Sequence, residues 1–124
     1  MHEMSLVRSV VSIVTEEAEA AGAAKVTKVH VVLGEGRDIV VDYFESLFKF
    51  LARGTVAEDA QIELHPVPLM ARCNACGAEF HLIPIDKRTW TCPGCGAFRN
   101  YKLIGGMEFY ISKIEATHNA GEMT

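Results

Sequence analysis

Four cysteines in two close pairs constrain this chain more than any other feature. They stand in "CNAC" at 73–76 and "CPGC" at 92–95, a C-x2-C-x15-C-x2-C pattern. Two residues between ligands let a tight turn hold both sulfurs at about 2.3 Å from one ion, and the long spacer lets a second turn complete a tetrahedron. The surroundings repeat as well. "CNACGAEF" and "CPGCGAFR" share C-x-x-C-G-A, with a glycine after each second cysteine where a positive φ turns the backbone toward the sulfurs. Cys73, Cys76, Cys92 and Cys95 therefore read as the ligands of a structural Zn2+ ion. A redox C-x-x-C would need only one pair, at a helix start in a strand–helix context, and neither pair sits in one. Four thiolates leave no open coordination position, which argues against catalysis at this metal. A segment of roughly 30 residues is too short to bury a core unaided, so the metal is expected to fold it.

Around this module the hydrophobic pattern predicts a small α+β domain. In "MSLVRSVVSIVTEEAEAAG" Val7, Val10, Val14, Ala18 and Ala21 recur at three and four, and Gly22 follows as a stop. "KVTKVHVVLG" alternates as a strand, with Val29, Val31 and Leu33 inward. A second helix is predicted in "RDIVVDYFESLFKFLARG", with Asp38 as N-cap and Val40, Phe44, Leu47 and Leu51 as its apolar stripe. "QIELHPV" alternates again, Ile62 and Leu64 inward and Glu63 and His65 outward, with Pro66 marking a strand end or edge. A strand, a helix and a strand make a crossover unit whose strands should run parallel if adjacent. Little regular structure is expected between 72 and 102. "GGMEFYISKIEA" resumes alternation, Met107, Phe109 and Ile111 against Glu108, Tyr110 and Ser112, and is assigned to the same sheet. The expected organisation is a domain of residues 1–69 and 105–117, an inserted zinc module at 70–104 resembling a zinc ribbon or rubredoxin, and a disordered tail at 118–124.

The charge balance limits the function classes. Net charge is −4 over 124 residues, which argues against a dedicated nucleic-acid binder. Residues 72–102 are nonetheless +3, through Arg72, Lys87, Arg88, Arg99 and Lys102 against Glu79 and Asp86, leaving −7 elsewhere. With Phe80, Trp90, Phe98 and Tyr101 interspersed, a nucleic-acid-binding or regulatory zinc ribbon is the alternative reading. No stretch approaches the roughly 18 apolar residues of a membrane span, and the first 20 residues lack the form of a secretory signal. The expected location is the cytoplasm, where disulfides between these cysteines are disfavoured.

The start of the chain, "MHEMSLV", carries a second chemistry. Histidine is a bulky second residue, so Met1 should be retained with a free amine. The Met1 amine, the His2 amide and the His2 imidazole can close fused chelate rings in one plane, with the Glu3 amide at the fourth corner. Planar nitrogen coordination suits Ni(II) or Cu(II) rather than zinc.

"MHEMSLV" opening a helix, "RGTVAEDAQIEL" leading into a strand, and C-x2-C…C-x2-C-G with a closing strand together resemble the HypA/HybF family of hydrogenase nickel-incorporation proteins. The resemblance spans most of residues 1–115. It implies a nickel metallochaperone rather than an enzyme, built on a mixed three-stranded sheet with two helices and a structural zinc module. It places transferable Ni2+ on Met1, His2 and Glu3. It further implies work with the GTPase HypB to load the large subunit of [NiFe] hydrogenase and, in some organisms, urease, with no role for nucleic acid or membrane. One segment departs from the family pattern: where relatives commonly read Gly-Glu-Leu-Ser before a proline-containing helix start, this chain has "GEGRDIVVDYFESLF".

Other candidates have plainer readings. His30 and His65 are expected to be solvated or helix-packed, and His81 is redundant beside four thiolates. Glu16, Glu17 and Glu19 read as a solvated helix face. Trp90 either shields the zinc or anchors a partner.

Overall fold

The computed structural model describes residues 2–37, 39 and 41–118. The chain divides into two compact units, one of Met1–Val31, Ile39–Leu64 and Ile111–Thr124, the other of Val32–Asp38 and His65–Tyr110. The second unit is wider than the 70–104 segment set apart by the cysteine pattern.

In the first unit, helix α1 (His2–Ala20) buries Val7, Val10, Val14 and Ala18, the three-and-four recurrence seen in the sequence. It starts at His2, earlier than the apolar pattern at Met4 signals. Gly22, at φ 71°, ends it, and the Ala23 N–H returns to the Ala18 carbonyl at 2.9 Å. Glu16, Glu17 and Glu19 are exposed, as expected. α2 (Val41–Leu51) packs on α1. Its buried positions are Phe44 and Phe48, followed by Ala52, all fully covered, while Leu47 and Leu51 are only half-buried. This corrects the expected stripe: spacing by four alone centres the face one residue beyond Leu47. Asp38 and Val40 lie outside the described residues.

Strands β1 (Lys25–Gly34), β2 (Gln61–Val67) and β6 (Phe109–Thr117) form one sheet in the order β2-β1-β6. Lys28 lies 3.8 Å from Glu63, and the Glu35 N–H meets the Val67 carbonyl at 2.8 Å, so β1 and β2 run parallel. Gly34 donates to Glu108 and Thr27 to Glu115, so β6 runs antiparallel to β1. The sheet is therefore mixed. Pro66 sits within β2, which tolerates it because β2 is an edge strand.

The second unit carries regular structure that the sequence pattern did not signal. β3 (Met70–Cys73), β4 (Glu79–His81) and β5 (Tyr101–Gly105) make an antiparallel sheet of order β4-β3-β5. Strands of three to five residues are too short for alternation to register. β6 begins at Phe109 rather than Met107, because Gly106, at φ 104°, turns the chain between β5 and β6. A Cβ on Gly106 would lie 2.3 Å from the Leu69 Cα, so the backbones meet there without room for a side chain. No helix among the described residues is long and apolar enough to cross a membrane.

Candidate metal centre

The four cysteines converge. Their sulfurs all lie within 4.8 Å of one another, with Cys73 to Cys95 at 3.6 Å and Cys76 to Cys92 at 3.5 Å. A tetrahedron with about 2.3 Å zinc–sulfur bonds has sulfur–sulfur edges of about 3.8 Å, so the donor set fits zinc in number, chemistry and size.

The shared C-x-x-C-G-A sequence builds two matching turns. The Gly77 N–H reaches the Cys73 carbonyl at 2.9 Å, and the Gly96 N–H reaches that of Cys92 at 2.9 Å. Both glycines have φ 79°. The Ala75 N–H points to the Cys73 sulfur at 3.4 Å, and the Gly94 N–H to the Cys92 sulfur at 3.3 Å. Each turn closes with a backbone bond, Cys73 to Ala78 at 2.8 Å and Cys92 to Ala97 at 2.9 Å. The first cysteine of each pair is buried and the second exposed.

The thiols are not electrostatically alike. The Cys76 amide brings the Cys73 thiol down to about 7, against the opposing effect of burial. Burial works to raise Cys92, but the amides of Cys95 and Gly94 overcome it and lower the thiol. For Cys76 the Ala78 amide resists, yet the Cys92, Cys95 and Cys73 thiols and burial push it up to about 12. Cys95 is raised too, against the Ala97 amide, by the Cys73 thiol and burial. Four sulfurs this close hold protons among themselves that a divalent cation would displace.

The surrounding core is small: Leu69, Ala71, Cys73, Phe80, Leu82 and Cys92, with Trp90 and Tyr101 packed against it. Phe80 and Tyr101 meet edge-to-face at 6.0 Å. Trp90 packs against the cluster that holds Cys92; its Nε1–H donates to the Ile83 carbonyl at 3.2 Å, and Arg99 lies over its ring at 5.4 Å. His81 pairs with Glu35 at 2.6 Å instead of joining the cysteines.

At the other end of the sequence, α1 already includes His2 and Glu3. The first four N–H groups of a helix have no intrahelical acceptor, so the His2 and Glu3 amides carry no helix hydrogen bond. Met1 lies outside the described residues, as do the side chains of His2 and Glu3.

His30 is more engaged than its sequence context suggested. Its Nδ1 lies 2.9 Å from Glu63 and its Nε2 2.5 Å from Glu115, and this hydrogen bond holds the Glu115 carboxyl below its ordinary range. Neighbours on other strands cannot be read from one strand's alternation. His65 is exposed. His118, placed in the tail by sequence, donates to the Ala21 carbonyl at 3.1 Å, while residues 119–124 lie outside the described residues.

Comparison with known proteins converges on one family. The chain is 41% identical over 118 residues to the hydrogenase maturation factor HypA of Lawsonia intracellularis, covering 93% of this chain and 98% of that protein. It is 36% identical to the protein of the same name from a Roseiflexus species, covering all of this chain and 98% of that one. In fold it resembles the solution structure of the Ni metallochaperone HypA from Helicobacter pylori, at TM-score 0.62 and 24% identity over 94% of this chain and 98% of that one. A second HypA solution structure matches at TM-score 0.66 and 23% identity, covering 96% and 98% of the two chains. The family model described as "Hydrogenase/urease nickel incorporation, metallochaperone, hypA" matches residues 1–116, and the chain belongs to that family.

Proposed function

We propose that this protein binds Ni(II) at its amino terminus and delivers it for maturation of the large subunit of [NiFe] hydrogenase, with urease as a second client. It is a carrier rather than an enzyme, acting in the cytoplasm with the GTPase HypB. The transferable ion is held by the Met1 amine, the His2 amide and imidazole, and the Glu3 amide. Zn2+ is the resident structural ion, on Cys73, Cys76, Cys92 and Cys95, in a module of residues 70–104 inserted into the nickel domain of 1–69 and 105–117. The observation that carries this reading is the family match over residues 1–116, which takes in both the Met-His-Glu start and all four cysteines. Supporting it, the His2 and Glu3 amides are not committed to helix hydrogen bonds, so using them as ligands breaks none.

The test is calorimetric Ni(II) titration of the full, zinc-loaded chain with a native amino terminus. His2→Gln should abolish specific nickel binding while zinc content is unchanged. An uncleaved N-terminal extension should weaken binding as severely, because it converts the Met1 nitrogen into an amide with every side chain still present. Affinity should fall steeply from about pH 8 to about pH 6, with more than one proton released per nickel, because amine, imidazole and amides all lose protons on binding. An extended protein that binds nickel as tightly as the native one refutes the terminal site.

A further inference from the structure

Besides the four cysteines, a second group of metal-capable side chains converges among the described residues. One ligand atom each from His30, Glu63 and His65 lies within 4.8 Å of the others. The strands put them there. His30 stands between the buried Val29 and Val31 on β1, so its ring lies on the opposite face of the sheet. Glu63 and His65 are both exposed and stand two apart on the continuous strand β2, which brings both to one face. The His30 Nδ1 is 2.9 Å from Glu63 Oε2. Two ligands about 2.1 Å from an ion and at a right angle stand about 3.0 Å apart, so this pair is already spaced as adjacent ligands are.

The support behind the ligands is also in place. The other ring nitrogen of His30, Nε2, lies 2.5 Å from Glu115 Oε2 on β6. Glu115, whose carboxyl this bond holds below its ordinary range, is an acceptor, so Nε2 carries a ring proton and Nδ1 is the nitrogen that faces Glu63. A carboxylate behind one imidazole nitrogen, with the other nitrogen turned toward further donors, is the arrangement that orients a metal-binding histidine. Glu63 is steadied as well, its Oε1 lying 3.8 Å from Lys28 Nζ while Oε2 faces His30. Ion pairing of His30 accounts for Glu63 and Glu115 but not for a second imidazole. Two imidazoles gathered on one carboxylate are a donor set for a cation, and imidazole suits zinc, nickel or copper rather than magnesium or calcium.

We propose that His30, Glu63 and His65 form a second metal site, open to water, for a divalent transition-metal ion, with Glu115 as the positioning residue behind His30. The site shares no residue with the amino terminus or with the cysteines, and it does not depend on which ion either of them carries.

The test uses the full, zinc-loaded chain carrying His2→Gln, which takes the imidazole out of the terminal ligand set. Amide NMR spectra are followed during addition of Ni(II), with Ca(II) as the other arm. Octahedral Ni(II) is paramagnetic, so the Val29, Val31 and Leu64 amides should broaden as the ion is added, with no loss of zinc. Ca(II) should leave them sharp. His65→Ala, at an exposed position, should raise the Ni(II) concentration required by about tenfold or more, and Glu115→Gln by about tenfold, with the His30 ring-nitrogen shifts reporting the altered tautomer. Unchanged amide spectra away from the site before metal is added certify the variants, and the Ni(II) and Ca(II) arms stand without them. Equal broadening in His65→Ala, equal effects of Ca(II), or sharp β1 and β2 amides at excess Ni(II) overturn the site. An undiminished response in Glu115→Gln overturns its positioning role. Nickel binding at the native amino terminus is read separately, from the chain with His2 intact.

Discussion

Replacing Phe48 by alanine tests how the helical unit is held together. Phe48 is fully buried on α2, four residues from the equally buried Phe44, and α2 packs on α1. Truncating a fully buried phenylalanine removes its transfer free energy and leaves a cavity, about 3 to 5 kcal/mol in total. At about 4 °C per kcal/mol for a domain of this size, the helical melting temperature should fall by about 12 to 20 °C. Phe50, two residues on, is the control. It is 56% exposed with Arg53 over its ring at 4.5 Å, so Phe50→Ala should cost at most about 1 kcal/mol. The assay is thermal melting followed by helical circular dichroism, alongside the thiolate-to-metal absorption of cobalt-substituted protein at low temperature. The cobalt spectrum should be unchanged in both variants, since the cysteines and their core belong to the other unit. Similar losses for Phe48→Ala and Phe50→Ala would refute this account of the core.

Cys92→Ala should abolish tight zinc binding, measured by competition with a chromogenic chelator, while most of the helical signal survives, because both helices belong to the unit without cysteines. The Glu35–His81 pair should give a pH-dependent stability difference, because the hydrogen bond from His81 holds the Glu35 carboxyl below 4.5 in the folded protein. That contribution is present above the unfolded value and is lost as pH falls through the lower folded one. In denaturant unfolding, the native protein should therefore be more stable than His81→Ala near neutrality, with the gap shrinking below about pH 4.5.

The parts legible in the sequence are those carried by repetition. α1 showed itself through Val7, Val10, Val14 and Ala18 because five turns give the pattern room to recur. The cysteine site was legible because its spacing is a chemical requirement rather than a propensity, and the sulfurs do converge. β3, β4 and β5 escaped because so few residues carry no period, and their partners lie across loops. Phe48 was displaced by Leu47 since both are apolar and adjacent, and only the neighbour's position selects between them. His30 was underestimated for the same reason: Glu115, which it meets, lies 85 residues away in sequence.

The two matching turns hold their sulfurs unequally, since Cys73 and Cys92 are buried while Cys76 and Cys95 face water. A bound ion is therefore sealed on one side and open on the other, and its removal has a direction. A chelator or an oxidant arriving from solvent meets Cys76 and Cys95 first. The inner pair is reached last, and each of its sulfurs still accepts a backbone N–H. Loss of an ion held there would thus begin at Cys76 and Cys95 and end at Cys73 and Cys92.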